Sequence, residues 1–101
     1  LLNVGDFEFK VLSTPGHAIG HISFYLDSTN NEFNHPILIA GDALFQGSIG
    51  RTDLPGGNYQ ELINSIRTKL LTLPDNTVVC PGHGQNTTIK YERDTNPFLT
   101  N

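Results

Sequence analysis

Alternating apolar and polar positions mark the first part of the chain as β structure. The stretch 7–11 alternates aromatic or aliphatic residues with charged ones, a period of two that predicts a half-buried strand. The β-branched and aromatic run 21–26 predicts a second strand, and the continuous apolar run 36–40 predicts a third that is covered on both faces. The Asn-rich segment 27–35 predicts a solvent-exposed connection between these two strands.

Helical spacing replaces this alternation after residue 57. Asn58 is a preferred N-cap residue, and Glu61 three positions later is its reciprocal capping partner. The buried face of this first helix is predicted to contain Tyr59, Leu62, Ile63, Ile66 and Leu70.

A strand and a second helix are predicted after the first helix. The apolar run 77–80 predicts another buried strand, in which we expect the thiol of Cys80 to point into the core. The stretch 87–94 predicts a short final helix.

The stretch 41–57 follows neither period and contains five glycines and one proline. It therefore predicts a long ordered loop, and loops of this length in compact domains are usually functional or disordered. The fixed placement of Gly and Pro favours a functional loop. Taken with the strands and helices, the pattern predicts a mixed α/β domain that occupies 1–101.

Composition narrows the classes of function. The net charge of −4 and the lack of a Lys/Arg cluster argue against nucleic-acid partners and against binding to an anionic membrane. The single cysteine excludes an internal disulfide and fits a reducing compartment, so we expect a cytoplasmic protein. Methionine is absent, including at position 1, and we therefore expect a processed chain or part of a longer protein.

Three Gly-containing turns each follow an apolar strand and present one side chain of a metal-binding type. These side chains are His17, Asp42 and His83. Imidazole and carboxylate groups are ligands of Zn²⁺ and related ions. Taken singly, each residue also has an ordinary explanation as a hydrogen-bonded loop histidine or a turn cap.

Other polar residues lie beside these turns. His21 follows His17 at the spacing of a helical metal pair, but Pro15 and the neighbouring glycines argue against a helix, so we expect His21 to support the turn. Arg51 and Asp53 in the long loop are expected to form an ion pair that holds the loop.

Four strings together resemble the metallo-β-lactamase superfamily, above all its small glyoxalase II-like hydrolases. They are TPGHAIGHISF at 14–24, GDALFQGSIGRTDLPGG at 41–57, VCPGHG at 79–84 and NPFLT at 96–100. The resemblance implies an α/β fold, namely half of an αββα metallo-β-lactamase-type sandwich, with this chain as the carboxy-terminal half. The superfamily's H-x-H-x-D-H signature does not occur in the chain, so we expect an incomplete set of metal ligands.

The resemblance also implies roles for individual residues. His17 and Asp42 would bind one ion, Asp42 would bridge to a second, and His83 would bind that second ion. His21, Arg51 and Asp53 would support the ligands or the loop. The implied cofactor is zinc, two ions in the complete centre, and iron or manganese also suits these ligand types.

The implied activity is hydrolysis of a small-molecule thioester such as a hydroxyacyl-glutathione. An alternative is a mononuclear non-haem iron persulfide dioxygenase, which the GRTD stretch at 50–53 and the NP-x-LT tail at 96–100 also resemble. In that case His17 and Asp42 would be two of three iron ligands. A third hypothesis is that the 101-residue chain alone is an inert half-domain whose exposed sheet face drives self-association.

Overall fold

The computed structural model describes residues 2–4, 7–18, 20–27 and 35–100, and among these residues strands come first along the chain while the helices lie in its second half. The described strands are β1 (Leu2–Val4), β2 (Phe7–Ser13), β3 (Ile22–Leu26), β4 (Ile37–Gly41), β5 (Leu44–Phe45), β6 (Ser48–Ile49), β7 (Val78–Pro81) and β8 (Thr87–Thr88). The described helices are α1 (Tyr59–Ser65), which continues as a π-helical segment (Ile66–Leu70), and α2 (Ile89–Thr95). Most of the predicted connection 27–35 lies outside the described residues.

Six of the strands form one sheet in the order β1-β2-β3-β4-β7-β8, and β5 pairs with β6 in a separate hairpin. Neighbouring strands in the sheet are antiparallel except β4 and β7, which are parallel. Because β2 and β4 are both antiparallel to β3, the carboxyl ends of β2, β4 and β7 lie at the same edge of the sheet. The three Gly turns therefore emerge side by side at that edge.

Both helices pack against one face of the sheet. Asn58 begins α1 as predicted, since its Oδ1 accepts a 2.9 Å hydrogen bond from the backbone N–H of Glu61. Tyr59 is 45% exposed and does not join the predicted buried face. The core beneath the helices consists of Leu38, Ala40, Ala43, Leu44, Ile49, Leu62, Ile63, Ile66, Leu70, Val79, Ile89 and Leu99.

The opposite face of the sheet is apolar and open among the described residues. Val11, Phe24, Ile39 and Cys80 lie in register across four strands of this face. Val11 is 42% exposed and Ile39 is 41% exposed, so the prediction that strand 36–40 is covered on both faces was wrong. The predicted core position of Cys80 was also wrong: its side chain is half-buried on the open face, and that burial raises the pKa of the thiol.

Two further boundaries differ from the prediction. The loop 41–57 contains the β5–β6 hairpin, whose two-residue strands are too short to show a period. The final helix begins at Ile89 rather than Thr87, because Thr87 pairs with β7 and Thr88 accepts a hydrogen bond from the N–H of Tyr91 as the N-cap. None of the described helices has the length and apolarity needed to cross a membrane.

Candidate metal centre

The turn that carries His17 is clamped against the start of α1. Gly16 has φ +127°, and a Cβ there would lie 2.2 Å from the backbone nitrogen of Leu62, so a glycine is required. The carbonyl of Gly16 also accepts a 2.6 Å hydrogen bond from the N–H of Asn58. Packing of the helix thus fixes the direction in which the chain presents His17.

A backbone hydrogen bond orients the His17 ring. Its Nδ1 lies 2.9 Å from the carbonyl oxygen of Arg51, and only a protonated Nδ1 can donate to that acceptor. The lone pair is then on Nε2, which lies 3.7 Å from Oδ2 of Asp42. The side chain of His17 is only 22% exposed.

The parallel pairing of β4 with β7 brings Asp42 beside His83. The N–H of Gly82 donates a 2.7 Å hydrogen bond to the carbonyl of Gly41, and a Cβ on Gly82 would lie 2.7 Å from Oδ1 of Asp42. Nδ1 of His83 lies 3.7 Å from that same oxygen. The His83 side chain is 79% exposed, and its ring packs on Phe45 with centroids 4.5 Å apart.

His21 contacts the turn that carries His17. Its Nδ1 is 3.0 Å from Oγ1 of the buried Thr14, which in turn bonds Ser23. Its ring meets His17 edge-on, with centroids 5.9 Å apart. Burial and the neighbouring His17 lower the pKa of His21, against a smaller opposing effect of Asp42 and of a hydrogen bond with the backbone of Thr14.

Arg51 and Asp53 form the expected ion pair. The guanidinium donates two hydrogen bonds, 2.8 and 2.9 Å long, to the two carboxylate oxygens. These bonds lower the pKa of Asp53 below its usual range. Sequence reasoning did not find the contribution of the Arg51 main chain, whose carbonyl holds His17, because that contact joins positions far apart in sequence.

The three predicted ligands line a single cavity of about 580 Å³. Phe45 also lines it and contacts His83, a role that sequence reasoning missed; the available signal was an aromatic residue within a Gly-rich loop. The lining consists of His17, Asp42, Phe45, Gln46, Ser48, Ile49, Gly50, Arg51, His83, Gly84 and Gln85.

The donor set fits part of a metal centre. Nε2 of His17 and Nδ1 of His83 each lie 3.7 Å from a different oxygen of Asp42, a distance that is too long for a hydrogen bond. Bonds of about 2.0–2.2 Å to one ion place two ligands roughly 3–4 Å apart, so an ion fits between Asp42 and each imidazole. Each position then has only two protein ligands, and no group of three or more His, Cys, Asp or Glu side chains suited to an ion occurs among the described residues.

Comparison with known proteins identifies the family of the chain. The family model of the metallo-beta-lactamase superfamily matches residues 2–83. The chain is 50% identical over 98 residues to the probable metallo-hydrolase YqgX of Bacillus subtilis, covering 97% of this chain and 44% of that protein. It is 48% identical over 99 residues to the hydroxyacylglutathione hydrolase GloC of Haemophilus influenzae, covering 98% of this chain and 44% of that protein. The chain belongs to the metallo-beta-lactamase superfamily.

Solved structures give the same result. The BLEG-1 B3 metallo-beta-lactamase superimposes with a TM-score of 0.88 at 49% identity, covering 99% of this chain and 45% of that protein. TTHA1623, solved in a di-iron-bound form, superimposes with a TM-score of 0.81 at 43% identity, covering 97% of this chain and 45% of that protein. The predicted α/β fold, as part of a metallo-β-lactamase domain, is confirmed. The chain spans less than half the length of the curated relatives it matches.

Proposed function

We propose that this chain contributes one side of a dinuclear metal centre that hydrolyses a small-molecule thioester such as a hydroxyacyl-glutathione. The observation that carries this proposal is the position of Asp42, each of whose carboxylate oxygens faces a different imidazole in one cavity. The 48% identity to a hydroxyacylglutathione hydrolase supports the choice of substrate class.

Bound divalent ions would polarise the thioester carbonyl and supply an activated water near neutral pH. The protein's own part is to hold the ligands. The carbonyl of Arg51 fixes the protonated nitrogen of His17, and the ring of Phe45 supports His83. We propose zinc as the ion, with iron as the main competitor because one structural relative was solved in a di-iron-bound form.

The cavity suits a small polar molecule with an apolar part. Phe45 offers an aromatic surface, while the amide groups of Gln46 and Gln85 can both donate and accept hydrogen bonds. The net charge of −4 favours a small-molecule partner over a nucleic acid or an anionic membrane. The single half-buried thiol supports a cytoplasmic location for the protein.

The test is metal removal from the protein at its full natural length. We expect the purified protein to contain zinc and to hydrolyse a hydroxyacyl-glutathione, to lose that activity in a chelator, and to regain it when zinc is restored. Metal content and initial rates are measured on the same samples. Full activity in a protein freed of metal would contradict the proposal.

A mononuclear iron dioxygenase acting on a persulfide is the second candidate. The observations that favour it are the GRTD stretch at 50–53 and the NPFLT tail at 96–100. In this case His17 and Asp42 would bind a single iron, and His83 would remain outside the ligand set. Iron as the sole metal, with oxygen consumed on glutathione persulfide and no thioester hydrolysis, would select this candidate.

We also propose that the 101-residue chain on its own self-associates through the open face of its sheet and is inactive. Val11, Ile22 and Ile39 on this face are each more than 40% exposed, and a contiguous apolar surface favours association. Light scattering tests the proposal, with Val11→Lys plus Ile39→Lys expected to return the chain to a monomer. A monodisperse monomer of the unaltered chain would contradict it.

A further inference from the structure

A fully buried carboxylate lies on α2, outside the candidate metal centre. Glu92 has no exposed surface, and all its hydrogen-bond partners are donors. Its Oε1 accepts from the N–H of Gly47 at 2.9 Å and from Nδ2 of Asn96 at 2.9 Å, and its Oε2 accepts from Oγ1 of Thr87 at 2.5 Å. Burial of a carboxylate is costly unless it is hydrogen-bonded in this way.

Asn96 extends this network to the next residue of the hairpin. It is also fully buried, and its Nδ2 donates a second hydrogen bond, 3.0 Å long, to the carbonyl of Ser48. Its Oδ1 accepts a 3.0 Å hydrogen bond from the N–H of Phe98 and so holds the chain after α2. Glu92 and Asn96 therefore hydrogen-bond two consecutive residues of the β5–β6 hairpin, Gly47 in its turn and Ser48 at the start of β6.

The two strands of this hairpin lead to the two imidazoles. Phe45, two residues before Gly47, packs its ring on His83. Arg51, three residues after Ser48, supplies the carbonyl that holds Nδ1 of His17. A shift of the hairpin relative to the sheet would thus move the supports of both candidate ligands together.

We propose that Glu92 and Asn96 are positioning residues for the metal centre, acting through the hairpin that supports His17 and His83. The proposal rests on the proposed function only in taking these two imidazoles as metal ligands. Apolar residues already anchor α2 and the chain that follows it, since Ile89 at the start of α2 is fully buried and Leu99 beyond its end nearly so. The hydrogen bonds of Glu92 and Asn96 add a fixed position of the hairpin relative to α2, because hydrogen bonds are directional and apolar contacts are not.

The simpler explanation is that the network only stabilises the fold, and three substitutions separate the two. Glu92→Ala removes the acceptor of Gly47. Glu92→Gln retains one carbonyl oxygen for Gly47 and Asn96, while its amide can donate to the Thr87 hydroxyl. Thr87→Val is the matched control, because it removes a buried hydrogen bond of Glu92 that does not reach the hairpin.

The experiment uses the full-length protein and begins without substrate. Exchange of the Gly47 amide and the imidazole nitrogen resonances of His17 and His83 are followed by NMR. For Glu92→Ala we expect Gly47 exchange to accelerate at least about tenfold and both imidazole signals to shift or broaden. The efficiency kcat/KM should fall by about 10- to 100-fold, as for loss of other groups that orient metal ligands.

Glu92→Gln should restore exchange and efficiency to within about threefold of the unaltered protein, since it keeps the hairpin acceptor. Thr87→Val should lower the melting temperature while leaving Gly47 exchange and the imidazole signals unchanged. If Glu92→Ala does not fold, Asn96→Ser replaces it: its hydroxyl can still accept from the N–H of Phe98, the amide donor to Ser48 and Glu92 is lost, and no second carboxylate is placed beside Glu92. The same loss of Gly47 protection and the same imidazole shifts are then expected.

The proposal is overturned if the folded variant lowers only the melting temperature and matches Thr87→Val in Gly47 exchange and imidazole signals. Because these measurements need no substrate, they distinguish a failure of this inference from a failure of the proposed thioester hydrolysis. Altered exchange and imidazole signals in a protein that hydrolyses no thioester would support the positioning role and remove the proposed activity.

Discussion

The two imidazoles beside Asp42 lie at the same distance from it but are held in different ways. His17 is 22% exposed, and a backbone carbonyl binds its far nitrogen. His83 is 79% exposed, and its described support is a ring contact with Phe45. His17 is therefore oriented by the main chain, and His83 by the packing of a side chain on a hairpin. We call the pair Asp42–His17 the His17 arm and the pair Asp42–His83 the His83 arm.

This difference bears on the cost of binding an ion. A side chain that is already fixed loses little conformational entropy when it binds, whereas a mobile side chain loses more. We therefore expect the His17 arm to tolerate substitutions around it and the His83 arm to be sensitive to them. Five substitutions, with their controls, test this expectation.

The largest effect is expected for Asp42→Ala, which removes the group that both arms share. Loss of a partner that only orients a ligand costs about 10- to 100-fold in metal affinity or activity, so loss of the shared ligand should cost more than about a hundredfold. Bound metal and initial rates are measured together. Asp94→Ala is the control, because Asp94 is an exposed carboxylate that pairs with Lys90 on α2. Unchanged metal content in Asp42→Ala would refute the shared role.

Gly82→Ala is expected to come second and to act on the His83 arm. The new Cβ would lie 2.7 Å from Oδ1 of Asp42, the oxygen that faces His83. Either the β7 turn must move, which displaces His83, or the carboxylate must rotate, which moves both of its oxygens; we expect the turn to move and this arm to weaken more. Metal titration should show one weakened position and one that is nearly normal.

Gly84→Ala provides a comparison for the previous variant. Gly84 has φ +84°, so alanine is strained there, but no atom lies within 4 Å of the added Cβ. We expect a loss of folding stability of about 1 kcal/mol and a smaller effect on metal binding than in Gly82→Ala. Equal weakening of both metal positions by Gly82→Ala would show that the two arms are not independent.

Phe45→Leu is expected to weaken the His83 arm by about threefold to tenfold, because leucine keeps apolar volume but loses the ring contact. The His17 arm should keep its affinity, which calorimetric metal titration can resolve. Phe98→Leu is a matched control, since Phe98 is 41% exposed and lies outside the cavity lining. A loss shared equally by both arms would mean that the ring supports the whole hairpin rather than His83 alone.

Arg51→Ala is expected to have the smallest effect on the arms. The guanidinium pairs with Asp53 at the surface, whereas the carbonyl that holds His17 survives the substitution. The His17 nitrogen signals should remain those of a ring protonated on Nδ1.

The pKa of Asp53 provides an internal check on the same variant. Its pKa should rise towards its ordinary value, because the hydrogen bonds from Arg51 that lower it are gone. Any stability that this pair contributes is present above the ordinary carboxyl pKa and lost as the pH falls through the lowered value. A carboxyl titration followed by NMR measures the change, and a displaced His17 tautomer would contradict the backbone role.

Local features of the chain were predictable because they depend on near neighbours in sequence. The cap at Asn58 and the Gly turns that present His17, Asp42 and His83 follow from residue type and short spacing. That the turns converge follows from the strand order and pairing that the structure shows, which join strands far apart in sequence. The ligand roles themselves stay predictions.

Features that depend on distant pairing were not predictable in the same way. The face of the sheet on which Cys80 lies is determined by its register with Ile39. The contact of Phe45 with His83 joins two separate turns. Glu92 is a charged residue in a short helix, a pattern typical of an exposed position, yet it is fully buried because the hairpin and Asn96 surround it with donors.

The parallel pairing of β4 with β7 also has a consequence for folding. Parallel strands need a crossover, and here the chain passes through the hairpin and α1 before β7 returns beside β4. Asp42 and His83 therefore meet only after a long loop has closed, an entropic cost that delays non-local contacts during folding. An ion that binds both residues would act as a reversible crosslink across this loop. When the concentration of free ion is a hundred times the dissociation constant, binding would add about 2.7 kcal/mol to the free energy of unfolding.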